Sequence, residues 1–171
     1  MRVCFSVIRR RAAAVLALSA LAVASCDTPP TPPPDPGTAR LVVCPTTTTR
    51  TTQALIGPLG GILSLGNTTI GIPQGALTLP TLITLTIPAS QYMEIEVRAN
   101  DLTSFVFKQD VGIRIDYSRC TDPALNTERL SVWQIDPQTK ALIEFMGGTD
   151  DKSRNTISFS TGHLSGYAIA F

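Results

Sequence analysis

Ile83-Thr84-Leu85-Thr86-Ile87 alternates apolar and polar side chains without a break, and Met93-Glu94-Ile95-Glu96-Val97-Arg98 repeats the pattern soon after. Successive side chains of an extended strand point to opposite faces, so a period of two makes one face apolar and the other wet. Working outward, Val111, Ile113, Ile115 and Tyr117 alternate with Gly112, Arg114 and Asp116, and further runs occupy 130–135, 141–146, 156–160 and 167–171. Turn-forming residues punctuate the runs, as in Asp136-Pro137-Gln138-Thr139-Lys140 and in 150–155, where the two carboxylates Asp150 and Asp151 read as part of a solvated turn. The Thr-rich stretch 46–52 reads as a loop running into an edge strand, with attached sugar as the alternative. No segment carries a sustained helical stripe. The pattern predicts one all-β domain over 41–171, an antiparallel β-sandwich large enough to bury its own core.

Upstream of Leu41 the composition changes twice. Arg2, Arg9, Arg10 and Arg11 precede a run of thirteen apolar or small residues, Ala12 to Ala24. Positive charge before a short apolar run is the order of an export signal, and a permanent span needs ~20 residues. Val23-Ala24-Ser25-Cys26 resembles the lipobox of bacterial lipoproteins, which implies cleavage after residue 25 and acyl chains on Cys26. The predicted organisation is thus a signal peptide at 1–25, a lipidated Cys26 with a linker to 40, and the β domain. The linker includes Asp27 to Gly37, DTPPTPPPDPG, whose six prolines favour extended polyproline II. At ~3.1 Å per residue it makes a stalk of roughly 30 Å. The partner expected first is therefore a membrane, reached through lipid on Cys26 in a bacterial cell envelope. Which membrane stays open.

Loss of the leader also changes charge and cysteine count. Without its four arginines, ten Lys and Arg face thirteen Asp and Glu, a net −3. A mildly acidic chain without a basic stripe argues against a nucleic-acid partner. Cys4 leaves with the leader and Cys26 is acylated, so Cys44 and Cys120 remain for a disulfide in an oxidising compartment. A metal site is the alternative. It is disfavoured by a single histidine, His163, and by the absence of CxxC or HxxxH spacing.

Two segments carry a family resemblance. Ile56-Gly57-Pro58-Leu59-Gly60-Gly61-Ile62-Leu63 followed by Ile70-Gly71-Ile72-Pro73-Gln74-Gly75-Ala76-Leu77 resembles the ZU-five domain of zonula occludens, netrin-receptor and ankyrin proteins. Phe105 to Ile113 looks like that family's Phe-rich turn before a core strand. The resemblance covers 56–171 and implies a β-sandwich that mediates interactions and uses no cofactor.

His163-Leu164-Ser165 resembles the self-cleavage site of some ZU-five domains and of the GAIN domains of adhesion receptors. That likeness implies attack of the Ser165 hydroxyl on the Leu164 carbonyl, with His163 taking the proton and a strained peptide aided by Gly162 and Gly166. The competing expectation is an ordinary turn into the last strand, with Leu164 buried. No nucleophile elbow or metal motif supports catalysis on an external substrate. The functional expectation is a non-enzymatic interaction or structural module that binds a protein or glycan, with self-cleavage second and an exported hydrolase third. Self-cleavage predicts two fragments split between Leu164 and Ser165 on denaturing mass spectrometry, and one intact chain for Ser165→Ala. A single full-length mass for the native sequence after long incubation eliminates it.

Overall fold

The computed structural model describes residues 32–102 and 104–171. The expected signal peptide, Cys26 and the first part of the Pro-rich linker lie outside the described residues. The β strands are β1 Val43–Thr46, β2 Arg50–Ile56, β3 Gly61–Leu65, β4 Thr68–Ile72, β5 Thr81–Ile87, β6 Ser90–Tyr92 and β7 Glu94–Ala99. They continue with β8 Val106–Asp116, β9 Ser131–Ile135, β10 Leu142–Gly147, β11 Thr149–Asp151, β12 Thr156–His163 and β13 Gly166–Ala170. The described residues contain no α-helix, only a 3-10 turn at Pro123–Asn126.

Two antiparallel sheets pack together. One has the order β10-β9-β13-β7-β5-β2, the other β11-β12-β8-β4-β3, and a short β1-β6 ribbon stands beside them. The opening pattern behaves as expected in β5, where Ile83, Leu85 and Ile87 are buried and the intervening threonine side chains are only partly so. Ile70, Ile113 and Ile115 from the second sheet join the same core. Each full burial of such a side chain contributes about 1.5–3 kcal/mol. Arg50 begins β2, so the Thr-rich stretch does lead into an edge strand.

Strict alternation fails at β13, where all five residues are buried. Tyr167 and Ile169 point into the main core, while Ala168 and Ala170 join Trp133 and Ile135 in a second cluster. The incoming segment Ala39–Leu41 and Phe145 of β10 cover that cluster, with Trp133 and Phe145 edge to face at 5.2 Å. A strand covered on both faces loses its polar side. The carboxylates read as a solvated turn also move: Asp150 and Asp151 lie on β11, and the Tyr117 hydroxyl donates to Asp150 Oδ1 at 2.6 Å. The turn itself is residues 152–155. The Phe-rich segment belongs to β8 from Val106 onward, and Phe105 meets Phe107 edge to face at 5.1 Å.

Turn chemistry sets the registers. Leu65 pairs with Thr68 across Gly66-Asn67, with φ +64° at Gly66, the pattern of a two-residue turn that puts glycine first. Asn100 and Asp101 both have positive φ, 49° and 62°, and close Ala99 onto Leu102. At Gly60 a side chain is excluded, since a Cβ would lie 2.3 Å from Ile72 O.

Alternate connections collect at opposite ends of the sheets. At the Ala170 end of β13 the chain enters: Val42 N–H donates to Ile169 O at 2.9 Å and Phe171 N–H to Arg40 O at 3.0 Å. Loops 57–60, 73–80 and 136–140, the Asn100-Asp101 turn and residues 164–165 collect at the Gly166 end. Cys44 and Cys120 are bonded near the entry, with their Cα atoms 4.9 Å apart across 76 residues of sequence. Closing a loop of that length removes unfolded-state entropy worth about 4 kcal/mol. Reduced protein, or Cys44→Ala with Cys120→Ala, should therefore lose about that much stability in denaturant titrations.

Candidate functional site

Leu164 and Ser165 form the two-residue step from β12 in one sheet to β13 in the other. The step is short because the chain must cross between the layers while keeping its backbone paired. Leu164 N–H donates to Phe105 O at 2.9 Å, and Val97 N–H donates to Ser165 O at 3.0 Å. The Leu164 side chain is buried in the main core. Neither flanking glycine has the left-handed φ that an unusual turn would need. Gly166 sits in a tight place instead: a Cβ would lie 3.2 Å from Pro137 Cγ and 3.3 Å from Ile135 O, so the β9–β10 turn would have to give slightly to admit one.

His163 and Ser165 meet at one amide, that of Gln134. Gln134 Oε1 lies 3.1 Å from His163 Nε2, and Gln134 Nε2 donates to Ser165 Oγ at 3.0 Å. With the amide in this orientation, His163 Nε2 carries a proton and donates it. The ring is 3.6 Å from Glu144 Oε2 on β10, and Nδ1 is 3.5 Å from Thr161 Oγ1. Among the described residues no hydrogen bond joins the ring to the Ser165 hydroxyl. Attack by Ser165 with His163 as base needs the ring within hydrogen-bond reach of the hydroxyl, directly or through one water. The present geometry instead uses the amide as a spacer that orders both side chains.

The carbonyl before Leu164 is held just as firmly. Tyr167 Oη donates to His163 O at 2.5 Å, and Thr161 Oγ1 donates to the same oxygen at 2.9 Å. Gln134 has the same strand parity as the core residue Val132, so it faces inward and is half-buried. An inward-facing polar residue is the sequence signal that could have added Gln134 to the motif. Thr161 and Tyr167 had no such signal, since a threonine and a tyrosine are ordinary in strands.

An ion pair between a buried carboxylate and a half-buried lysine braces this end. Glu94 on β7 is buried, and Lys140 Nζ approaches its two oxygens at 2.7 Å and 2.8 Å. Lys140 closes the β9–β10 turn with φ 62°, so the pair fastens that turn across the sheet. The same end exposes Leu55, Leu59, Leu79, Leu102 and Val106. No group of three or more His, Cys, Asp or Glu converges among the described residues.

The two segments that carry the family resemblance touch at this end, where Gly75 N–H donates to Pro58 O at 2.8 Å. No family model matches the chain, and no curated protein matches it.

Tyr167 gives the site a pH dependence. Burial pushes its hydroxyl up to about 12, with the Glu144 charge adding to the rise and the Thr161 hydrogen bond opposing it. In the unfolded chain the group ionises near 10, so its contribution is intact below that pH and is lost as pH rises from 10 to 12. Two units correspond to about 3 kcal/mol. Thermal unfolding should show alkaline destabilisation over that window, and Tyr167→Phe should remove part of it, because burial also raises the Tyr117 hydroxyl.

Proposed function

We propose that this chain is a non-enzymatic, lipid-anchored module of a bacterial envelope, a ZU-five-like β-sandwich held off the membrane on a Pro-rich stalk. The observation that carries the proposal is the separation of the two ends. The proline-rich chain enters at one end, beside the Cys44–Cys120 bond, while Leu55, Leu59, Leu79, Leu102 and Val106 are exposed at the other. A tether at one end and an apolar surface at the other is the arrangement an interaction module needs. Exposed apolar side chains suit a protein partner better than a glycan, which is bound through hydroxyl-directed hydrogen bonds and aromatic stacking. The disulfide supports an oxidising compartment. The motif residues 56–63 and 70–77 support the family likeness.

Self-processing remains the second proposal on the motif alone, and the Gln134 amide between its two side chains does not favour it. Anchoring is tested by fractionation. The native chain should partition with membranes and start at an acylated Cys26, whereas Cys26→Ser should appear in the soluble fraction without added lipid mass. Membrane association of Cys26→Ser equal to that of the native chain would reject the anchor.

A further inference from the structure

At the entry end the two sheets leave a cleft of about 270 Å³ lined by Arg50, Asn67, Thr68, Asp116, Ser118 and Arg119. Its two guanidinium groups stand in different states. Arg119 is held in place: Nη1 donates to Cys44 O at 2.8 Å and reaches Pro45 O at 3.3 Å, and Nη2 lies 3.4 Å from Met93 Sδ. Arg50 has no hydrogen-bond or ion-pair partner among the described residues. Its Nη2 lies 3.7 Å from where a Cβ on residue 66 would stand, an ordinary contact distance that places the guanidinium against the Gly66-Asn67 turn.

The balance of charge is unusual for an acidic domain. Two guanidinium groups face one carboxylate, Asp116, whose Oδ1 already accepts the Ser118 N–H at 2.8 Å. Burial lowers the pKa of Arg119, the Arg50 charge lowers it further, and Asp116 opposes both. Two cations that repel across a cleft are stabilised when an anion sits between them, and planar guanidinium groups fork onto tetrahedral oxyanions. Asn67, Ser118 and Thr68 add neutral donors. The Thr68 hydroxyl oxygen accepts the Asp116 N–H at 3.1 Å, which leaves its proton free to donate.

We propose that this cleft binds a phosphate group, clamped between the pre-positioned Arg119 and the unpartnered Arg50, with hydroxyl and amide donors completing its shell. The cleft is below the size of ordinary drug-sized pockets, so the ligand is inorganic phosphate or a small phosphate ester. This inference does not depend on the anchoring proposal, because the cleft is built from the domain alone.

The test is isothermal titration of the full chain in detergent with inorganic phosphate, glycerol 3-phosphate and glucuronate, at fixed ionic strength. Saturable binding of either phosphate compound in the millimolar range or tighter is expected, weakened about tenfold or more in Arg50→Gln. Tighter binding of glycerol 3-phosphate assigns the site to an ester, and tighter inorganic phosphate to the free ion. Arg50 is exposed, so the unliganded Arg50→Gln chain should melt with the native chain. Absence of saturable binding, equal affinity in Arg50→Gln, or a preference for glucuronate over both phosphates would overturn the proposal.

Discussion

β13 is paired on both sides and covered on both faces. Its neighbours β7 and β9 use its backbone groups, Tyr167 and Ile169 fill the space between the sheets, and Ala168 and Ala170 lie beneath Trp133 and the incoming chain. Small residues on the second face let the segment Ala39–Leu41 and Phe145 approach closely. Ala170 also bridges to Leu41. The C-terminal strand thus organises the six-stranded sheet, and the step that delivers it, Leu164-Ser165, must satisfy both layers together.

That constraint explains the chemistry around His163. A two-residue crossing leaves little slack, so its carbonyls and side chains are taken up by Tyr167, Thr161 and Gln134. Hydrogen-bonded polar groups inside a protein fix one arrangement, because an unpaired alternative costs about 1–3 kcal/mol. The Glu94–Lys140 pair extends the same logic to the outer face, tying the β9–β10 turn over Gly166. Removing the lysine is costly because the buried carboxylate is left uncompensated. The motif that resembles a self-cleavage site sits in one of the most firmly braced parts of the fold.

The two ends of the molecule differ in chemistry for a topological reason. Antiparallel strands send alternate connections to opposite ends, so the entry end receives the disulfide, Arg119 and the Gly66-Asn67 turn. The far end receives the loops with exposed leucines and Val106. Arg119 neighbours Cys120 in sequence and donates to Cys44 O, so the covalent bond and the guanidinium fix the same corner.

Much of this was legible in the chain itself. Period-two alternation in 83–87 and 111–117 requires strands with one apolar face, and Cys44 and Cys120, the two cysteines within the β domain, were expected to pair. The Thr-rich stretch before an edge strand was legible for the same local reasons. Residues 167–171 were recognisable as strand, but not as the centre of a sheet, because small residues such as Ala168 and Ala170 do not announce what covers them. Gln134 was invisible as a neighbour of His163 and Ser165, since it lies on β9, some thirty residues away in sequence, and only the packing of β9 against the β12–β13 crossing brings them together. The pairing of Arg50 with Arg119 was hidden for the same reason. Local pattern determines which faces are apolar; the long-range register of the strands decides which polar groups meet, and that depends on how the whole core closes.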